Sequence, residues 1–103
     1  MGYTIWPAGL RGEALRDVND ERNRQEDKWG EQNHDPLTYL VVLMEEVGEL
    51  SQAALHLRFG GPAADGLRKE AVQTAAVALA IIEALDRKKW TFREGVDACG
   101  DKK

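Results

Sequence analysis

Only one cysteine, Cys99, occurs among 103 residues; that scarcity excludes an internal disulfide framework and fits a reducing compartment. With one Cys and two His, no Cys/His zinc spacing can be assembled. Positive charge is not in excess either. Asp plus Glu number 18 against 14 Lys plus Arg, a net charge of -4, which argues against coating nucleic acid or lying on a membrane through a basic helix. The longest apolar run, Ala75 to Ile82, is far too short to span a bilayer. The opening MGYTIWPAGL has neither a basic region nor a long apolar stretch, so no signal peptide is expected. The expectation is a cytoplasmic protein that engages neither a membrane nor a nucleic-acid polymer. Internal repeats, low-complexity segments and period-two alternation are all missing, and the last of these removes the signal of a half-buried sheet.

The remaining composition, 43% hydrophobic and 31% charged, is that of a folded globular chain. Its length admits one domain, 1–103, with a core over about 13–88 and terminal extensions 1–12 and 99–103. Breaks at Gly30 and at Gly60-Gly61-Pro62 divide it into three long helical stretches. The first is expected over Glu13–Trp29. The second opens with Asp35 as cap and Pro36 at the first helical position, and runs to Phe59. The third is expected from a cap at Asp65 to about Lys88, and Thr91-Phe-Arg-Glu94 has the form of a capping box for a short final helix. The predicted class is all-α, a helical bundle.

Two hydrophobic patterns bear on assembly. Leu40, Leu43, Val47, Leu50, Ala54 and Leu57 repeat at alternating spacings of three and four, an apolar seam that defines a coiled-coil-like face of the second helix. In AAVALAII, residues 75–82, every position is apolar, so no side of that helix suits water. Three helices cannot easily enclose one of their own, and a core shared between subunits is therefore expected; the alternative is that the short final helix covers the open side.

The acidic residues supply the chemistry. Glu45, Glu46 and Glu49 form EExxE within EEVGEL, and a spacing of three puts Glu46 and Glu49 on one helix face, on a stripe with Tyr39, Val42 and Ala53. Two carboxylates in an otherwise apolar stripe repel one another and need a positive partner, for which a hard divalent cation such as Mg2+ is the economical choice. A solvated, salt-bridged helix face is the competing reading. On the third helix Glu70 and Gln73 share the stripe of Val77, and an antiparallel hairpin would face them towards the first pair. Glu70 alone also reads as an acid that complements a helix dipole.

EEVGEL, followed about twenty residues later by EAVQ and an alanine-rich run, resembles the MazG-like all-α nucleoside triphosphate pyrophosphohydrolases, and ERNRQEDKWGEQNH resembles short, phage-type members. The resemblance covers about Glu21 to Asp86. It implies EExxE on one helix and ExxD on the next, together binding Mg2+ (with Mn2+ as substitute). Carried over, the metal ligands are Glu46, Glu49, Glu70 and Gln73, the last an amide where the family pattern has Asp. It further implies hydrolysis of a canonical or modified nucleoside triphosphate to the monophosphate and pyrophosphate, a role in adjusting nucleotide pools, and a homodimer or homotetramer. Glu45 or Glu49 would take the proton from water. The alternative function is a non-catalytic oligomerisation or nucleotide-sensing module with a degenerate metal site.

For the nucleotide, Arg22, Gln25 and Trp29 share a face of the first helix. They read either as a pocket wall, with Trp29 stacking on a base and Gln25 or Asn33 reading its edge, or as a core anchor beside solvent-facing polar residues. His34 is placed at the pocket mouth. Lys28, Arg58, Arg68, Lys69, Arg87 and Lys88 are each candidates for phosphate, against a more ordinary role as solvated charges. Glu31 and His34 have a di-iron Glu-x-x-His spacing, but in a loop and without a second copy.

Overall fold

Three helices follow one another in the computed structural model of the chain, which describes residues 7–92: α1 (Gly9–Trp29), α2 (Pro36–Phe59) and α3 (Leu67–Arg87), the last preceded by a single 3-10 turn over Ala64–Gly66. No strand occurs among the described residues. None of their helices is long and apolar enough to cross a membrane.

The ends of α2 follow local chemistry. The Asp35 carboxylate accepts from the Thr38 N–H at 2.9 Å and from the Thr38 hydroxyl at 3.0 Å, while Pro36 occupies a first-turn position that needs no N–H donor. Gly30 and Gly60 end α1 and α2 with positive φ, each N–H returning to the carbonyl four residues back, Glu26 and His56 respectively. Two expected boundaries are corrected. Helix α1 begins at Gly9 rather than Glu13 and runs on through Gly12, which lies so close to the Pro7 carbonyl that a Cβ there would overlap it. Asp65 does not cap α3. It lies inside the 3-10 turn, the residue before the helix is Gly66, and no side chain caps that end. The short helix expected from Thr91 lies outside the described residues.

Helices α2 and α3 form an antiparallel hairpin: Tyr39 near the start of α2 packs on Ala80 and Ala84 near the end of α3, whereas Glu46 lies level with Thr74. Helix α1 packs on α3 and makes no backbone approach to α2. The hairpin core is small, with Tyr39, Ala53, Ala76, Val77, Ala80 and Ala84 as its buried apolar residues. The leucine seam of α2 is not its most buried face within the chain: Leu40 and Leu57 are 49% and 61% exposed, Ala54 is exposed, and Leu43, Val47 and Leu50 are half-buried. The alanine face of α3 instead receives Tyr39, because small side chains on one helix leave room for its ring on the other; Ala53, on the same stripe of α2, is also buried. Along residues 75–82 of α3, Ala76, Val77 and Ala80 are buried, Ala78, Leu79 and Ile81 are half-buried, and Ala75 and Ile82 are left exposed.

Candidate metal centre and adjoining cavities

The hairpin brings Glu46 and Glu49 of α2 to Glu70 in the first turn of α3. One carboxylate oxygen from each lies within 4.8 Å of the other two. Glu46 and Glu70 are half-buried and Glu49 is exposed. Each of the first two has an oxygen, Oε1, that is buried and accepts no hydrogen bond. The Thr74 hydroxyl donates to the Glu70 backbone carbonyl at 2.7 Å and reaches the Glu46 carbonyl at 3.5 Å, which fixes the level of one helix against the other at this cluster. Burial, then the charges of Glu49 and Glu70 and more weakly of Glu21 and Glu45, push the Glu46 carboxyl above its ordinary value. Uncompensated oxygens converging from two helices match the oxygen-only donor set of a hard divalent cation.

Glu45 stands outside this cluster on the exposed side of α2 and acts on Glu46 only through its charge. Gln73, one turn beyond Glu70, is half-buried and borders two cavities.

The first cavity lies where α1 and α2 both rest on α3 with no close approach of their own backbones. It measures about 200 Å³ and is walled by Glu21, Arg22, Gln25 and Trp29 of α1, by Tyr39, Val42 and Glu46 of α2, and by Gln73, Val77 and Ala80 of α3. The loop between α1 and α2 closes one end with Gly30, Gln32 and His34. Arg22 is 7% exposed; its Nη2 donates to Glu83 Oε1 at 2.8 Å and lies 3.2 Å from Glu26 Oε1, whereas its Nε is buried without a partner. Tyr39 stands edge-on to His34, ring centroids 5.0 Å apart, and donates its hydroxyl proton to the Gln32 carbonyl at 2.7 Å. Burial pushes the Tyr39 phenol up, against the opposing charges of Arg87 and Arg22.

Of the nucleotide-binding candidates, Gln25, Trp29 and His34 line this cavity. Trp29 is 56% exposed, so it is a wall and not a core anchor. Asn33 is corrected. Its side chain turns away, accepting from Arg87 Nε at 2.8 Å and donating to Glu31 at 3.1 Å, because the Arg87 guanidinium, which also donates to the Gln32 carbonyl at 2.7 Å, straps the loop to the end of α3. Lys28 lies over the Trp29 ring, 4.7 Å from its centroid, and faces a second, outer cleft. Glu31 and His34 do not join the carboxylate cluster.

Sequence reasoning missed Glu21, Gln32 and the burial of Arg22. Glu21 precedes Gln25 by one helical turn, so the periodicity that selected Gln25 was its available signal. Gln32 contributes its backbone carbonyl, for which no side-chain pattern exists. Comparison with known proteins returned no matching family model, no matching curated protein and no matching solved structure.

Proposed function

We propose that the chain is a Mg2+-dependent nucleoside triphosphate pyrophosphohydrolase of the MazG-like kind, hydrolysing a canonical or modified triphosphate to the monophosphate and pyrophosphate. The observation that carries this reading is the convergence of the Glu46, Glu49 and Glu70 carboxylates from two helices, the first and last of which each have a buried oxygen with no hydrogen-bond partner. The resemblance of EEVGEL and EAVQ to that family supports it independently. Glu46, Glu49 and Glu70 hold the ion, Mg2+ or Mn2+, with the Gln73 amide oxygen as a neutral further donor. When bound, the ion offsets phosphate charge and lowers the pKa of its water. Glu49, exposed within the cluster, is better placed than Glu45 to take the proton of the attacking water. Trp29 offers a face for the base, with Gln25 and His34 available to its edge.

The active form is a homodimer or homotetramer in this proposal. Leu37, Val41, Met44, Leu55 and Phe59 make an outward stripe on α2, each more than half exposed, and Gly48 in its middle leaves open space above the backbone. The radius of gyration, 16.7 Å, exceeds the roughly 13 Å of a compact domain of about 100 residues, as a chain that shares its core would. A cytoplasmic role in adjusting nucleotide pools accords with the single cysteine and net acidity.

The test is pyrophosphate release from a panel of canonical and modified triphosphates with Mg2+. Turnover by the wild type that vanishes in Glu49→Gln is the expected result. A folded oligomer inert to every triphosphate would instead identify a non-catalytic nucleotide-sensing or assembly module.

A further inference from the structure

On the far side of the Trp29 and Gln73 wall lies the outer cleft, about 640 Å³, between α1 and α3. In a chain of net charge -4 its lining is anomalously basic: Arg24, Lys28, Arg68 and Lys69 outnumber Asp17 and Glu21. The helical repeat explains the concentration. Spacings of three and four residues put Glu21, Arg24 and Lys28 on one face of α1, while Arg68 and Lys69 sit in the first turn of α3 facing it.

That placement is electrostatically awkward for an empty protein. A helix N-terminus carries partial positive charge, and two cations in the first turn of a 21-residue helix add to it, with Glu70 the one acid there to relieve it. Internal acids compensate only part. Arg24 pairs with Glu21, and Arg68 Nη2 lies 2.8 Å from Asp17 Oδ2, yet both arginine side chains remain about two-thirds exposed. Lys69 makes no ion pair among the described residues, and Lys28 is held over the Trp29 ring and not by an acid. Other cations named from the sequence are occupied elsewhere: Arg87 in the loop strap, Arg58 against Phe59. The cleft shares Glu21, Gln25, Trp29 and Gln73 with the inner cavity, and Lys69 directly precedes the carboxylate Glu70 in sequence. An elongated ligand can therefore place an uncharged end in the inner cavity, beside Glu46, and extend a highly anionic end past the shared Gln25, Trp29 and Gln73 into the cleft.

We propose that this basic cleft is the subsite for the terminal phosphates of the substrate and for the departing pyrophosphate, with Lys69 and Arg68 as its principal contacts and Lys28 and Arg24 on the opposite wall. The assignment rests on the pyrophosphohydrolase reading and adds to it a reason for preferring triphosphates over shorter nucleotides.

Calorimetric binding of inorganic pyrophosphate to the full chain in Mg2+ buffer tests it, alongside triphosphate kinetics. The expected result is that the double variant Arg68→Ala/Lys69→Ala binds pyrophosphate about tenfold or more weakly and raises KM for the triphosphate. Lys69→Arg retains affinity, and Arg16→Ala, exposed on α1 away from the cleft, changes nothing. Because Arg68 and Lys69 are exposed, folding is expected to survive; the single variant Lys69→Glu serves if the double one fails to fold. No pyrophosphate binding by the wild type, or binding and KM indifferent to these variants, overturns the subsite even where triphosphates are hydrolysed. Pyrophosphate binding that depends on Lys69, in a protein that hydrolyses no triphosphate, upholds the anion site and overturns the catalytic reading instead.

Discussion

Glu46 on α2 and Glu70 on α3 each hold a buried carboxylate oxygen that accepts no hydrogen bond, and the two side chains present oxygens within 4.8 Å of each other. Neither helix could create that situation alone. Packing the hairpin removes water from both groups without supplying a donor, so the folded chain retains an unmet demand for positive charge.

Removing one of these charges therefore stabilises the metal-free protein. Glu46→Gln is expected to raise its thermal midpoint by a few degrees, and to abolish the further rise that Mg2+ produces in the wild type. The pH dependence has a definite sign. The folded Glu46 carboxyl sits above its ordinary value of 4.5, so the native state holds this proton more tightly than the unfolded chain. Its contribution makes the metal-free protein more stable as pH falls through that raised pKa, levelling below about 4.5, while Mg2+ binding weakens over the same range. Calorimetry of the wild type against Glu46→Gln across pH isolates this contribution: without Mg2+ the deficit of the wild type is expected to shrink in acid, and a constant difference would contradict the repulsion.

Gln73 stands one helical turn beyond Glu70. Gln73→Asp adds a charged oxygen donor there and is expected to tighten Mg2+ binding about tenfold, while lowering metal-free stability. Isothermal titration with Mg2+ measures the first effect. Unchanged affinity would mean that this position does not ligate.

Arg22 joins α1 to α3 through Glu83 while paired with Glu26 on its own helix. Arg22→Ala is expected to cost about 2 kcal/mol in a urea titration. That lies below the loss for a fully buried pair because both glutamates remain roughly 40% exposed and can return to water. The same variant enlarges the inner cavity at the α1 wall.

Met44 is 55% exposed in the middle of the outward stripe of α2. Met44→Lys puts a charge where a second copy would pack, and is expected to shift the protein towards monomer in light scattering at micromolar concentration. An unchanged mass would move the subunit contact elsewhere.

Asp35 caps α2, and the hydrogen bond from the Thr38 N–H, reinforced by the Thr38 hydroxyl, holds its carboxyl below the ordinary value of 3.8 despite some burial. A depressed carboxyl contributes stability that is present above about 3.8 and disappears as pH falls through the folded value. Asp35→Ala is therefore expected to be less stable than wild type at neutral pH, the difference shrinking in acid. Parallel melting curves down to the lowest pH would show that the cap does not act through its charge.

Much of this protein is written locally. Gly30, Asp35-Pro36 and Gly60 delimit helices because positive φ, a capping carboxylate and a missing N–H act within one turn of chain. Glu46, Glu49 and Glu70 were legible for the same reason: helical spacing places the first two on one face, and a short connection folds the third back towards them. What tertiary structure alone decided was which faces meet. The leucine stripe of α2 is the more apolar, but the alanine face of α3 accepts Tyr39, because interlocking shape, and not apolar content, selects the buried surface. Likewise the gap that forms the inner cavity, the burial of Arg22 and the turning of Asn33 towards Arg87 depend on α1 leaning on α3 with no close backbone approach to α2. Those are contacts between residues distant in the chain, and no local spacing encodes them.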